Sequence, residues 1–273
     1  MTENEYNKHS GVRRSDLWKI NESPEKYKYA LEHPIETTPA MAFGSAAHKL
    51  ILEGYDAFNA EYAVAPQFDK RTKAGKEDWE KFCAENADKE IVSLDDYKVL
   101  TDMHDQISSC NLAYVLLNIE GETETPFFWI DKDTGEECKV KLDRLVKWDG
   151  RYAVLDYKTA ASAQTDKFVH EMFKLGYHLQ AAMYTEGVMV SKGLDYRPDF
   201  IFLVQEKKPP YSVNVVYVAA DSGVMTYGID TFRLLMGTLH QCKETGYFYG
   251  YTGAFGEMND AYLPGYISMG DEE

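Results

Sequence analysis

Cysteine is scarce and unpatterned in this chain: four residues in 273, Cys83, Cys110, Cys138 and Cys242, with no CxxC pair. That excludes a zinc knuckle and a compact disulfide scaffold, and the expectation is reduced, structural thiols. No stretch approaches the roughly 18 uninterrupted apolar residues of a membrane span. The opening MTENEYNKHSGVRR has no apolar signal core, so the expected setting is the cytoplasm, with no membrane partner. There is no calcium loop of the D-x-D-x-D-G kind, no internal repeat and no low-complexity linker. Positive charge is also short, with Lys and Arg at 29 against Asp and Glu at 45, a formal net charge of -16. Taken as an average, that charge opposes nucleic acid, because neutralising phosphates supplies most non-specific affinity. A local basic surface escapes the objection, and an acidic remainder would then keep non-productive binding weak.

One basic cluster is visible along the chain. In QFDKRTKAGKEDW, Lys70, Arg71, Lys73 and Lys76 fall within seven residues that contain no acid. They are candidate phosphate contacts, and the alternative is a solvated loop before a helix. The length fits one elaborated α/β domain over 1–273, with a mainly helical part over 1–120, a sheet core over 121–220, and a C-terminal helix and tail over 221–273.

In the first part, Ser15 is placed to cap SDLWKINESPEKYKYALEH, in which Leu17, Ile20, Tyr27 and Leu31 recur near helical spacing and Pro24 marks a break. FGSAAHKLILEG reads as a short helix of small residues that Gly54 stops. Helices are also expected near Lys76 to Ala87 and Ser93 to Leu117. From Glu122 the period changes. TETPFFWID, ECKVKLDRLVKWDG and RYAVLDYKTA read as strands of an antiparallel meander, parted by Asp/Gly turns. A helical region through KFVHEMFKLGYHLQAAMYTEGVMVS follows, then strands DFIFLVQEK and YSVNVVYVA, and a helix over Ser222 to Thr245. The acidic tip of the chain is expected to be mobile.

The chemistry concentrates in KLDRLVKWDGRYAVLDYKT. Asp143 and Asp156 sit on successive strands joined by an Asp-Gly turn, so strand pairing brings two carboxylates together. Such a pair is a hard oxygen site suited to Mg²⁺ or Mn²⁺. Lys158 lies two residues beyond Asp156, so alternation puts both side chains on one face. An ammonium there can orient water and stabilise charge on a phosphate. The competing explanation is an exposed Asp-x-Lys charge pair worth under about 1 kcal/mol. The apolar approach through Ala153, Val154 and Leu155 argues against it, because it reads as a buried strand from whose end the acid emerges.

LDRL followed by AVLDYKT resembles the core of the PD-(D/E)XK nuclease superfamily, with Asp143 as first acid and Asp156-Tyr157-Lys158 as its D-x-K element. His48 in FGSAAHKL resembles the N-terminal helical histidine of the RecB-like and RecE-like branch. Gln180 and Tyr184 in HLQAAMY resemble its Q-x-x-x-Y helix, and DKRTKAGKEDW resembles a segment of RecE-type phage exonucleases. The order of these motifs matches, and the similarity covers most of residues 10 to 220. Two departures are Leu142 in place of the proline and Asp156 in place of the commoner glutamate.

The resemblance implies a restriction-endonuclease-like central mixed sheet flanked by helices, with a helical N-terminal region. It implies catalytic roles for Asp143, Asp156, Lys158, Gln180 and Tyr184. Divalent metal, Mg²⁺ or Mn²⁺, would be held by His48, Asp143, Asp156 and the Tyr157 carbonyl, with Glu124 as a further acid near the first strand. The implied activity is exonucleolytic removal of one strand of linear duplex DNA, 5′ to 3′, leaving 3′ overhangs for recombination in a bacterial or phage-infected cell. The implied partners are duplex ends, a RecT-like annealing protein, and further copies of the chain in a ring. Two alternatives remain. A Cas4- or AddB-like nuclease would carry an iron–sulfur cluster, but its closing cysteine triplet is absent because Cys242 stands alone. A catalytically inactive DNA-binding module would have no need of Asp143, Asp156 and Lys158.

Overall fold

A computed structural model describes residues 3–33 and 37–262; the acidic tip of the chain lies outside the described residues. Helices α1 (Glu3–Lys8), α2 (Arg14–Glu22), α3 (Pro24–Glu32) and α4 (Pro39–His48) lead into a π turn (Lys49–Glu53) and α5 (Gly54–Glu61). Strand β1 (Tyr62–Ala65), α6 (Lys73–Glu85), β2 (Glu90–Ser93), α7 (Leu94–Ser109) and α8 (Asn111–Asn118) follow. Then come β3 (Gly121–Ile130), β4 (Glu137–Trp148), β5 (Arg151–Ala160), α9 (Thr165–Leu175) and α10 (Tyr177–Lys192). The chain continues through β6 (Asp199–Glu206), β7 (Val213–Val218) and α11 (Gly223–Thr245).

The main sheet has the order β3-β4-β5-β6-β7, antiparallel except for the parallel β5–β6 pair. Asp149 and Gly150 both take positive φ, 48° and 77°, which is the two-residue hairpin conformation that matches strand twist and joins β4 to β5. A parallel neighbour cannot be reached by a tight turn, so β5 and β6 are joined over the sheet face by α9 and α10. The expected mixed sheet with flanking helices is the observed architecture. The N-terminal part also holds two short parallel strands, β1 and β2, where the sequence suggested helix alone.

Side-chain oxygens start the helices where the sequence offers them. Ser23, Thr72, Ser93 and Ser222 each accept from the main-chain N–H three residues on. Ser15 does not act as a cap. Helix α2 begins one residue earlier, and Asp16 reaches back to the Arg13 N–H at 2.9 Å. The expected helix from Ser93 to Leu117 breaks at Cys110, whose extended conformation separates α7 from α8.

Two apolar clusters sandwich the sheet. Leu17, Phe168, Met183 and Met236 on one side pack against Val154, Phe200 and Phe202. On the other side Leu50, Phe58, Leu100 and Leu116 pack against Leu155, Tyr157, Ile201 and Leu203. Successive residues of β5 and β6 therefore enter opposite cores, the pattern of strands buried on both faces.

That alternation slips on β4. Val140 and Leu142 belong to the first cluster, but beyond Asp143 it is Leu145 that joins the first and Val146 the second. The slip has a counterpart on β3, where Glu124, opposite Asp143 in register, takes φ 52° and drops out of the ladder. Beyond Arg144↔Leu155 the β4–β5 ladder ends and the strands part. Because β3 occupies one edge of β4, the opened edge receives Val12 instead. Val12 donates to the Glu137 carbonyl at 2.7 Å and accepts from Lys139 N at 3.0 Å. Gly11, at φ 128° and with Lys139 about a van der Waals contact from where a side chain would start, lets the chain enter this gap.

Candidate active site

Register brings the acids into one row. Thr123↔Arg144 and Thr125↔Leu142 place Glu124 opposite Asp143, and Arg144↔Leu155 places Asp143 opposite Asp156. Here the sheet's own hydrogen bonds lapse. The Tyr157 N–H donates to Asp143 Oδ2 at 2.8 Å, so the carboxylate takes over a position that a strand partner would have filled. The Tyr157 side chain points to the opposite core, where its hydroxyl donates to Gln205 at 2.8 Å and Gln205 in turn donates to the Met103 carbonyl at 2.7 Å. This anchor fixes β5 at the residue between Asp156 and Lys158.

Asp156 is 1% exposed. Its Oδ1 accepts from Gln180 Nε2 at 2.5 Å, and Lys158 Nζ lies 2.6 Å from Oδ2. The lysine contact is close but is not directed as a hydrogen bond, which leaves Oδ2 and the Gln180 carbonyl oxygen buried without one. Lys158 also lies over the Tyr177 ring at 4.9 Å. Gln180 is aimed by the bend between α9 and α10. Gly176 ends one helix and starts the next at φ 73°, and any side chain there would collide with Trp18.

His48 ends α4, and its Nδ1 is 3.3 Å from Asp143 Oδ2 with its ring edge-on to Tyr157 at 5.2 Å. The π turn that follows widens the helix. It presents Lys49 and Glu53 to the same cleft as His48, a use of π turns that recurs at functional sites. This cleft has a volume of about 550 Å³ and also takes in Glu124, Lys141 and Asp143. Its cations are all paired: Lys49 with Glu53 and Glu61, each at 2.8 Å, and Lys141 with Glu124 at 2.6 Å. Sequence reading missed Lys49, Glu53 and Lys141. Their only signal was the spacing of Lys49 and Glu53, five residues or fewer from His48, which a regular α-helix would have turned away from it.

Electrostatics separate the two acids. Burial pushes the Asp156 carboxyl above its ordinary range, and the Asp143 charge adds to this against the pull of Lys158. For Asp143, burial works upward too, but His48, Lys158 and the Tyr157 N–H together hold it below the usual carboxylate range. Burial opposes a charged His48, and Asp143 outweighs it and raises the imidazole pKa.

The remaining expected residues do not line the first cleft, though Asp156 and Asp143 act on the Tyr184 hydroxyl. Tyr184, one turn beyond Gln180, lines a separate cleft with Arg13, Arg14 and Lys139. Lys70, Arg71, Lys73 and Lys76 stand exposed around the start of α6 and do not line the acidic cleft. Lys70 lies 3.2 Å from the centre of the Trp79 ring, Arg71 pairs with Asp69 at 3.0 Å, and Lys73 with Glu77 at 3.7 Å.

Divalent metals generally serve the PD-(D/E)XK nucleases, and the donors present fit such an ion. They are two carboxylates and a main-chain carbonyl from Tyr157, hard oxygen donors, with a buried Asp156 oxygen that lacks a hydrogen bond. Among the described residues, no three His, Cys, Asp or Glu side chains are grouped closely enough to hold an ion by themselves. Water would complete the shell, as is usual for Mg²⁺. Among the described residues no helix is long and apolar enough to cross a membrane.

A family model matches most of the chain. Residues 14–255 match the model of a family described as a PDDEXK-like domain of unknown function (DUF3799). A crystal structure of a protein from Eubacterium rectale, provisionally named an exonuclease, superposes with a TM-score of 0.63 at 15% identity, over 97% of this chain and 96% of that one. The crystal structure of SSO0001 gives a TM-score of 0.39 at 14% identity, over 87% of this chain and 81% of that one. No curated protein matches the sequence.

Proposed function

The chain belongs to the PDDEXK-like family, and from that premise we propose that it is a metal-dependent exodeoxyribonuclease that degrades one strand of linear duplex DNA from an end. The observation that carries the reading is the row of acids at the lapse in the sheet, with Lys158 against Asp156 and His48 against Asp143. A buried carboxylate pair with no purely structural partner set is costly to keep, and a site that must bind a cation and a phosphate together explains why both are there.

Asp143 and Asp156 would hold Mg²⁺ or Mn²⁺ with the Tyr157 carbonyl and water, and His48, paired with Asp143, would steady that carboxylate. The ion would supply charge neutralisation on the scissile phosphate and lower the pKa of a bound water. Lys158 donates only, since an ammonium has no lone pair, so its part is to orient water and stabilise charge on the phosphoryl oxygens. Gln180 holds Asp156 through Oδ1, and Oδ2 lies against Lys158. Attack 5′ to 3′ with 3′ overhangs, a ring of several copies and delivery of single strands to a RecT-like annealing protein extend this reading from the RecE resemblance.

The test is end-labelled linear duplex beside covalently closed circular DNA, each with Mg²⁺ and with excess chelator. Label released from linear DNA alone, and only with metal, supports the proposal. Full activity in chelator, or equal attack on closed circles, overturns it.

A further inference from the structure

Beside the acidic cleft of His48 and the basic cleft of Tyr184, a third cleft of about 460 Å³ is walled by the π turn, the start of α5, the end of α7, α8, and Arg144 of β4. Arg144 directly follows Asp143, and the π turn directly follows His48. The two segments that carry the His48–Asp143 pair therefore both reach this cleft. Arg144 is 9% exposed. It donates to the Thr123 hydroxyl at 3.2 Å and to the Ile119 carbonyl at 2.6 Å, both neutral acceptors, and its Nε is buried with no acceptor. Among the described residues no carboxylate lies within ion-pair distance of the guanidinium, and burial alone acts on its charge, with no carboxylate contributing from further off.

A buried guanidinium without a counter-ion is costly, and an unmet donor adds to that cost. An oxyanion relieves both, because the planar donor fork meets two oxygens at once. A second feature points the same way. Gly54 begins α5 in this wall, no side-chain oxygen caps that helix, and the space beside Gly54 is open. Uncapped N–H groups and the helix dipole favour an anion there. The acids close by are engaged or turned away: Glu53, which lines the cleft, pairs with Lys49 at 2.8 Å, Asp105 lies 3.4 Å from His104, and Asp56 in the first turn of α5 does not line it. The rest of the wall sets the His104 and Tyr114 rings beside Ser108 and Asn118. Asn118 gives an amide N–H to the Tyr114 carbonyl at 2.8 Å, which leaves its side-chain oxygen to accept. Rings for stacking next to small hydrogen-bonding side chains are what a nucleobase needs.

We infer that this cleft binds a free nucleoside monophosphate, its phosphate against Arg144 and the start of α5 and its base beside His104 and Tyr114. The site is separate from the acid row and stands on its own geometry; the choice of ligand rests on the nuclease reading, since degrading a strand from its end releases nucleoside monophosphates. An occupant would touch the π turn that follows His48 and the residue that follows Asp143. The molecule would thus hold its own product where that product can bear on the catalytic pair without entering the first cleft.

Calorimetric titration of the full chain in chelator with thymidine 5′-monophosphate, thymidine and inorganic phosphate tests this without cleavage. The wild type should bind the monophosphate about tenfold or more tightly than either of the others, the scale of one charge-assisted hydrogen bond. Arg144→Gln should lose about tenfold of that affinity. Because Arg144 also holds Ile119 and Thr123, a second variant locates the site independently of its folding. Ser108→Phe, at an exposed position on the cleft wall, should melt as the wild type does and lose the binding by filling the cleft, whereas Arg14→Gln, in the basic cleft, should keep it. Equal binding of all three ligands by the wild type overturns the site. Unchanged affinity in a folded Ser108→Phe, or loss in Arg14→Gln, overturns it by placing the nucleotide elsewhere. A chain that cuts linear DNA but binds no monophosphate loses this site alone, and one that binds the monophosphate here but cuts no DNA keeps the site and loses the nuclease reading.

Discussion

The two clefts flank one row of acids and differ in how their charges are balanced. On the His48 side every cation faces a carboxylate: Lys49 with Glu53 and Glu61, Lys141 with Glu124, and His48 with Asp143. On the Tyr184 side, among the described residues, Arg13, Arg14 and Lys139 have no carboxylate within ion-pair distance, and Asp16 and Glu137 act on Lys139 only from further off. The difference shows that a net charge of -16 says little about what the molecule binds. A cleft already neutral within itself gains little from an anion, whereas one with unbalanced cations gains both attraction and relief of repulsion.

The largest break in this comparison should come from the shared acids. Asp143→Asn and Asp156→Asn should lose metal affinity and cleavage together, with cleavage down by at least roughly 10²-fold to 10³-fold, the scale of one preorganised electrostatic group. Metal titration beside single-turnover cleavage reads both, and a variant that keeps wild-type metal affinity would remove that carboxylate from the ligand set. Next in size is Gln180→Leu. It touches no substrate in this account and acts by holding Asp156, so its cost should be about 10-fold to 100-fold in metal affinity or activity, the range for groups that orient a ligand. Rescue by Gln180→Asn, with a shorter reach, should be incomplete; wild-type metal affinity in Gln180→Leu would argue against a positioning role.

The smallest effect should come from the run Lys70, Arg71, Lys73 and Lys76. Each cation that leaves a phosphate flattens the salt dependence of duplex binding by about 0.9 in log-log slope. Because Lys70, Arg71 and Lys73 already engage Trp79, Asp69 and Glu77, neutralising all four should change the slope by no more than about one such contact. A fall of three or four contacts' worth would restore the run as the main phosphate surface.

These results also mark how far the sequence could be read. The strands of the main sheet and the row of Asp143 and Asp156 were legible because alternation, an Asp-Gly turn and an apolar approach are local signals. The D-x-K spacing placed Lys158 beside Asp156 for the same reason. Ser15 misled because a serine at the head of an amphipathic run resembles a cap whatever the chain does before it. The sequence left β1 and β2 unread because four-residue strands show too few alternations to stand out beside helices. Lys49 and Glu53 were hidden by the π turn, since helical spacing assumes a regular turn. The second cleft could not be read at all. Arg14 and Lys139 are far apart in sequence, and they meet only because β4 leaves β5 at Asp143 and Val12 fills the opened edge. The one basic run that does stand out in the sequence is exposed around the start of α6 and does not line the acidic cleft.

Lys158→Met gives the most direct test of the central claim, that the row at the sheet's lapse is a hydrolytic centre and not a buried charge pair. The measurement is single-turnover cleavage of end-labelled linear duplex in Mg²⁺, beside metal and DNA titrations of the same variant. The account predicts a folded protein that binds metal and DNA like the wild type and cleaves at least roughly 10²-fold more slowly. Cleavage at the wild-type rate by a folded Lys158→Met would contradict it and leave Asp156 and Lys158 as a structural ion pair.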